Sequence, residues 1–329
     1  MLHRCGADAR AVARFTPRER RGVNGYLAAA VAVLITASYP VATRAGVTGS
    51  FAPHELVTLR FGVGALLFLP YLLLHWRHVR RAAWLQGIPL TLFQGAGMGA
   101  LVICGLQLAP ATHAAALGPG MFPAWVALLG FLVFARRPSA RVIIGCALCA
   151  MGVLILTYAS ASDMNGAVLT GDAMFLAASA LGALYMLQLR RWRIGAIQGA
   201  AIVSLYSALV VIPWHLWSAA EPLPRVEPFE LLWQVVWQGV LIGCVWLIAL
   251  NHAIARLGAE RSSALIALVP VTSAMVALVF LGEVPSVIEI AAFLAISAGV
   301  LFAASRYAGS PAANSASINR PACGLSRPG

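Results

Sequence analysis

Arg136-Arg137-Pro138-Ser139-Ala140-Arg141 follows one apolar run of this chain, and 147 residues further on Glu283-Val284-Pro285-Ser286-Val287-Ile288 follows another. The two turns share a Pro-Ser pair and carry opposite charge. The same shift pairs Pro123 with Pro270 and Gly152-Val153-Leu154 with Gly299-Val300-Leu301. A shift of 146 pairs Gly25 with Gly171, Ala37 with Ala183, Tyr39 with Tyr185 and Arg44 with Arg190. The chain thus repeats itself. Around these turns run ten apolar stretches: Tyr26–Thr43, Leu56–Leu74, Trp84–Leu106, Ala111–Ala135, Val142–Tyr158, Asp172–Leu189, Ala196–Trp217, Leu231–Ala253, Ser262–Leu281 and Val287–Ala304. Each is close to the ~20 residues that a helix needs to cross ~30 Å of hydrocarbon. Five spans per half is an odd number, so the second half enters the membrane from the opposite side. The reading is an inverted repeat, an arrangement common among secondary transporters. A turn that faces the cytoplasm in one half then faces outward in the other, and the swap of arginine for glutamate follows from the swap of side.

The rest of the charge agrees. All 23 basic residues are arginine and none is lysine. With the N-terminus inside, the inner segments take Arg4, Arg10, Arg14, Arg18, Arg20 and Arg21, then Arg77, Arg80 and Arg81, then Arg136, Arg137 and Arg141. Arg190, Arg191, Arg193, Arg256, Arg261, Arg306, Arg320 and Arg327 follow, leaving Arg44 and Arg225 outside and Arg60 within a span. Positive residues resist translocation, so both termini are expected in the cytoplasm. Glu55, Asp163, Asp172, Glu221, Glu227, Glu230 and Glu283 fall in or beside outer loops. A composition 60% apolar and 10% charged excludes a soluble domain of this length. The net charge of +12 would suggest nucleic acid in a soluble protein. Here it orients the chain against an anionic inner leaflet, so the expected partners are the lipid bilayer and a small-molecule substrate, not nucleic acid.

The expected fold class is an all-α membrane protein with ten transmembrane helices as two inverted five-helix repeats, multi-pass in the cell inner membrane, as a monomer or weak homodimer. Residues 1–22 read as a disordered basic cytoplasmic arm, 23–159 as the first repeat, 171–305 as the second and 306–329 as a disordered cytoplasmic tail. The first apolar run is too long for a signal-peptide core and lacks a small-x-small cleavage site, so it reads as a span.

Nothing in the sequence reads as an enzyme. There is no Walker-type loop, no HExxH and no nucleophile in a catalytic context. Gly95, Gly97 and Gly99 sit mid-span, where small residues serve close helix packing. Cys104, Cys146, Cys149 and Cys244 lie in spans, and Cys5 and Cys323 in the tails. Cys146 and Cys149 form a CxxC with no histidine or carboxylate nearby and read as packing residues, so no metal and no cofactor is expected. Without a nucleotide site, transport would run on gradients or exchange.

Polar groups in hydrocarbon are costly and mark candidate sites. Gln94, mid-span, either bridges helices or lines a cavity. Tyr39 and Tyr185 occupy repeat-related positions, where they flank a substrate or anchor at an interface. Trp125 and Trp246 face either a cavity or lipid. Asn251 lies near the inner end of its span. Arg60 either snorkels outward or pairs with Glu55, or serves as counter-charge to an anionic substrate group. His113 and Glu260 coincide under the repeat as candidate mouth residues, Glu260 having Arg256 and Arg261 in reach. Pro119, Pro123 and Pro270 remove backbone donors and are expected to break or bend the central helices. No Asp or Glu falls near the middle of a span, and Glu289 is only about one turn into the last one, which argues against a buried carboxylate that binds proton and drug in turn.

From about Gly22 to Arg306 the chain resembles the EamA-like drug/metabolite transporters. The resemblance rests on Leu59-Arg60-Phe61, on Pro123 and Pro270, on Leu281-Gly282-Glu283-Val284-Pro285-Ser286 and on Ala298-Gly299-Val300. Phe134-Ala135-Arg136 stands where the family repeats Leu-Gly-Glu, and Ser38-Tyr39-Pro40 where it often has a Trp-Gly pair. The resemblance implies a cavity between spans four and nine, completed by spans one, three, six and eight, with five and ten peripheral. The function then expected is export of an amino acid or related metabolite by alternating access. Import of such a metabolite, or a non-transporting scaffold or sensor, are the alternatives.

Overall fold

In hydrocarbon no water is at hand for backbone N–H and C=O groups, so an apolar run must close its hydrogen bonds on itself as a helix. The computed structural model describes residues 17–79, 81–134, 139–162, 166–218, 226–266, 269–282, 284 and 286–308, and among these no strand occurs. The first half comprises α1 (Pro17–Val47), α2 (Pro53–His75), α3 (Arg81–Gln94), α4 (Ala96–Leu108), α5 (Ala111–Leu117), α6 (Phe122–Phe134) and α7 (Ala140–Ser162). The second comprises α8 (Gly166–Trp192), α9 (Ala196–Ser218), α10 (Pro228–Gln234), a π-helical stretch (Val235–Trp246), α11 (Leu247–Leu257), α12 (Ala259–Ile266), α13 (Val269–Leu281) and α14 (Val287–Ala308). The arm before Pro17, the tail from residue 309, the charged turn at 135–138, Asp163, Glu221, Arg225, Glu283 and Pro285 lie outside the described residues.

Among the described residues seven stretches are long and apolar enough to cross a membrane: Asn24–Val47, Pro53–His75, Arg81–Leu108, Ala111–Val133, Gly166–Trp192, Ala196–Trp217 and Pro228–Leu257. Shorter apolar helices run over Ala140–Leu156 and Val287–Phe302. The outside of the bundle is greasy: Leu34, Leu66, Leu73, Leu85, Leu132, Leu154, Trp217 and Val279 are all exposed. Polar groups instead turn inward, with Gln94, His113, Asp172, Gln234, Gln238 and Asn251 buried. A water-soluble monomer does not expose so much apolar surface. The distribution is that of a multi-pass membrane protein.

α7 and α14, the last helices of the two halves, pack along each other, and their contact is reciprocal. A Cβ at Gly152 would meet Ile296 at 2.6 Å and the Ala292 carbonyl at 2.7 Å. A Cβ at Gly299 would meet the Gly145 carbonyl at 2.6 Å and Cys149 at 2.8 Å. Under the 147-residue shift these are the same contacts exchanged. Because a later residue of α7 meets an earlier part of α14 and the reverse, the two helices run antiparallel. Glycine is needed at both places for close approach. The Cys149 thiol lies in this seam, 3.6 Å from the Ile296 carbonyl that it faces as donor.

Candidate functional site

Three interruptions of regular helix shape the centre of the bundle. Span three breaks at Gly95, whose backbone (φ −90°, ψ −129°) leaves the helical region between α3 and α4. The freed Ala96 N–H donates to Ser207 Oγ on α9 at 3.0 Å, and a Cβ at Gly95 would strike that same oxygen. The break leaves Gln94 as the last residue of α3. Span four breaks after α5: Gly118 leaves helical geometry, and Pro119–Met121 forms a single 3₁₀ turn before α6. Span eight is wound as a π-helix from Val235 to Trp246, a wider winding frequently found at functional sites. Its Gly243 lies so close to the Arg60 carbonyl that a side chain there would collide with α2.

These interruptions enclose a cavity. Its wall takes Thr36, Tyr39 and Pro40 from α1, Arg60 and Phe61 from α2, and Gln94, Met98, Gly99 and Val102 from span three. Ala114, Gly118, Pro119 and Phe122 come from span four, Phe175 from α8, and Ile242, Gly243, Trp246 and Leu247 from span eight. Arg60 does not snorkel and does not pair with Glu55, which instead accepts a hydrogen bond from the Ala52 N–H at 2.7 Å. Its guanidinium is buried, lies over the Tyr39 ring at 4.6 Å, and donates from Nη2 to Gln238 Oε1 at 2.9 Å. Gln238 Nε2 in turn donates to Thr43 Oγ1 at 2.8 Å, and Gln234 Nε2 to the Ala42 carbonyl at 2.9 Å. Trp246 Nε1 donates to Thr36 Oγ1 at 2.6 Å. The network fastens the π-helical stretch to α1 and fixes the arginine. Three buried polar atoms on the wall have no partner among the described residues: Tyr39 Oη, Arg60 Nε and Gln94 Oε1.

Tyr185 and Asn251 stand elsewhere. Both are fully buried, and the tyrosine hydroxyl donates to Asn251 Oδ1 at 2.6 Å, while Asn251 Nδ2 donates to the Ala196 carbonyl at 3.0 Å. They fasten α8 to α11 and the start of α9 and are not part of the wall. Trp125, on α6, is also outside it, with a buried and unpartnered Nε1. Pro123 occupies the second position of α6, where a missing N–H costs no helical bond, while Pro270 follows residues 267–268, which lie outside the described residues. Pro119, not Pro123, occupies the break itself. The wall also takes residues from span two, which the expectation did not include, and among the described residues it takes none from span nine, whose residues 267–268 lie outside them. Span nine comes near span four at Pro270, whose ring would meet a Cβ at Gly120 at 2.9 Å.

Among the described residues two ionic clusters flank this centre. His113 on α5 places Nδ1 2.9 Å from Asp172 Oδ1 and Nε2 2.7 Å from Glu289 Oε1. Asp172, expected in or beside an outer loop, is buried in α8, and Glu289, read as about one turn into the last span, stands in the first turn of α14. Glu289 uses its other oxygen to accept from the Ser286 N–H at 2.6 Å, and its own N–H donates to Ser286 Oγ at 3.2 Å. This is a reciprocal cap at the start of α14. Glu260 takes the second cluster: its carboxylate accepts from Arg190 Nη1 at 3.0 Å, and both side chains reach solvent-exposed space. Sequence reasoning missed the His113 bridge because its members lie 59 and 176 residues apart. The only signal was that each is a lone charged residue just inside an apolar run.

Fold and site define a class, a polytopic α-helical membrane protein built around an internal polar-and-apolar cavity. The chain belongs to the EamA-like transporter family, which matches it over residues 23–158 and again over 169–305, and it is thereby a membrane transporter of small substrates. A solved structure described as "Crystal structure of protein" is similar with a TM-score of 0.62 at 20% identity, over 88% of this chain and 99% of that one. At that identity the likeness is one of fold. No curated protein matches the chain.

Proposed function

We propose that the chain is a secondary carrier of the inner membrane that exports an amino acid or a closely related metabolite by alternating access. The observation that carries this reading is the buried Arg60 guanidinium on the cavity wall, which no carboxylate pairs among the described residues. A buried cation is expensive in hydrocarbon. The Tyr39 ring and Gln238 offset part of that cost, and an arriving carboxylate would offset the rest. Arg60 Nε and Tyr39 Oη offer donors to an acidic group, and Gln94 Oε1 offers an acceptor to an ammonium or amine. Phe61, Met98, Phe122 and Phe175 supply an apolar surface for the remainder of the solute. One acidic group, one amino group and an apolar body describe an α-amino acid.

The carrier is read as ten spans in two inverted repeats, 23–159 and 171–305, with both termini cytoplasmic. The antiparallel, exchange-symmetric seam of α7 and α14 supports inversion, and the arginine distribution supports the orientation. Gly118–Met121 and Gly95 give the central helices places to bend as access alternates.

The test is counterflow in reconstituted vesicles preloaded with individual standard amino acids, traced with the same radiolabelled compound outside. Saturable exchange is expected for at least one. Arg60→Gln should then lower its kcat/KM by about tenfold or more, the worth of a charge-assisted hydrogen bond. Saturable exchange that survives Arg60→Gln undiminished sinks the carboxylate assignment, and the absence of exchange for every amino acid sinks the substrate class.

A further inference from the structure

Among the described residues Arg60 brings the one charged side chain to the cavity wall, and no aspartate or glutamate joins it there. Elsewhere, Glu55 accepts from the Ala52 N–H and Glu230 from the Ser50 hydroxyl. Asp172 and Glu289 meet His113, and Glu260 meets Arg190. What holds the Arg60 guanidinium is neutral: the Tyr39 ring and the Gln238 amide oxygen. Its Nε is without a partner among the described residues, and its Nη1 lies 3.7 Å from the place of a Cβ at Gly99. Gly99 is itself part of the wall, so the missing side chain leaves that edge of the cation uncovered. The wall thus holds a positive charge that its own residues do not neutralise.

We propose that the protein is an obligate exchanger of carboxylate-bearing solutes, with Arg60 forbidding the return of the empty protein, an inference that rests on the carrier reading above. Alternating access closes one mouth before the other opens, so the cavity passes through a state cut off from bulk water on both sides. A guanidinium that faces a solute carboxylate enters that state as a neutral, hydrogen-bonded pair. A guanidinium left with an aromatic face and one amide oxygen enters it as a desolvated charge, which is costly in a low-dielectric interior. Loaded protein therefore turns over readily, and empty protein does not. One solute leaves only as another enters, and the entering one must also bring an acidic group. Export is then driven by the inward gradient of that second solute.

Gln238 offers a second way to reach the same charge. Its Oε1 lies 2.9 Å from Arg60 Nη2, so Gln238→Glu puts a carboxylate oxygen where an amide oxygen now stands. Thr43 Oγ1 accepts from the other end of the amide at 2.8 Å, and its hydroxyl is able to donate to a carboxylate there instead. The arginine then has a resident counter-charge and crosses without a solute. Arg60→Gln reaches the same end by deleting the cation. One variant neutralises the charge and the other removes it, and they alter different helices.

The full chain is reconstituted in vesicles loaded with the radiolabelled standard amino acid that counterflows best, with potassium and valinomycin clamping the membrane potential. Efflux is timed into buffer alone and into buffer that contains the same amino acid unlabelled. For the parent, efflux into the amino acid should be at least about tenfold faster than into buffer, the worth of the charge-assisted hydrogen bond that the empty protein lacks. The amide of that amino acid, which has no carboxylate, should not accelerate efflux. In Gln238→Glu and in Arg60→Gln the two efflux rates should converge, whatever their absolute size. Parent efflux into buffer that keeps pace with exchange overturns the inference and leaves the carrier reading standing. So does stimulation by the amide equal to that by the acid, or a parent-like ratio of rates in either variant. Absence of counterflow for every amino acid sinks the carrier reading, and this inference with it.

Discussion

His113 and Glu260 hold the same place in the two repeats, at the start of the fourth span of each half, and Arg44 and Arg190 both close the first span. Their surroundings differ. At the His113 end an imidazole is buried between two carboxylates from different helices. At the Glu260 end the repeat-related position joins a half-exposed arginine, Arg190, whose side chain is 53% exposed. α8 connects the two: Asp172 and Arg190 are 18 residues apart on it, or about 27 Å at ~1.5 Å per residue. The lesson is that duplication preserved the positions of the end groups and not their dielectric environment. At the His113 end two of the three groups, His113 and Asp172, have lost their water, whereas at the Glu260 end both groups keep some of it. Equal architecture therefore gives unequal strength, and the end with more to lose is the His113 end.

The largest effect should come from His113→Ala. It removes the imidazole that stands between Asp172 and Glu289, and breaking a buried charge cluster by removing one member costs about 3–5 kcal/mol. Thermal unfolding in detergent should register a loss of that order. A loss below about 1 kcal/mol would mean that water enters the cluster and that the two ends are alike after all.

Next is Gly258, which links α11 to α12 two residues before Glu260. Its φ of +93° and ψ of 164° lie where L side chains rarely go, and a Cβ there would run into the Arg190 guanidinium. Gly258→Ala should cost about 1–3 kcal/mol in backbone strain and displace Arg190 from Glu260. Unfolding of this variant beside Arg190→Ala separates the two contributions. If both lose the same stability, the backbone is unstrained and the glycine matters only for the ion pair.

These two regions also show what the sequence could reveal. The repeat, the apolar runs and the sign swap between Arg136-Arg137 and Glu283 lie in local pattern, and the all-helical membrane fold follows from them. Arg60, Gln94, Tyr39 and Trp246 were legible as costly polar or amphipathic groups inside runs, and the cavity wall contains all four. The π-helical winding from Val235 to Trp246 was not legible, because Gly-Val-Leu-Ile-Gly reads as ordinary helix and only the packing against Arg60 and Thr36 selects the wider turn. Tyr185 looked like the twin of Tyr39, yet one meets Asn251 and the other an arginine. Asp172, expected in or beside an outer loop, is buried for a related reason: hydropathy weighs each residue alone, whereas burial of a carboxylate depends on a partner far along the chain.

The smallest effect is expected at Glu260, and it is the most demanding check on the comparison. Arg190 and Glu260 meet at 3.0 Å, a good geometry, so distance alone would rank this pair with the His113 bridge. Exposure decides otherwise. Water screens the pair, and ordering two long side chains costs rotamer entropy, so exposed pairs typically contribute 0.2–1 kcal/mol. Glu260→Ala removes only a partly exposed carboxylate and leaves Arg190 free to hydrate. A double-mutant cycle of Arg190→Ala and Glu260→Ala isolates the pair from the other contacts of either residue. The coupling energy should fall below about 1 kcal/mol and shrink further as salt is raised. A salt-insensitive coupling of about 3 kcal/mol would instead place both ends under buried-pair energetics, and the contrast between them would have to be sought in motion rather than in strength.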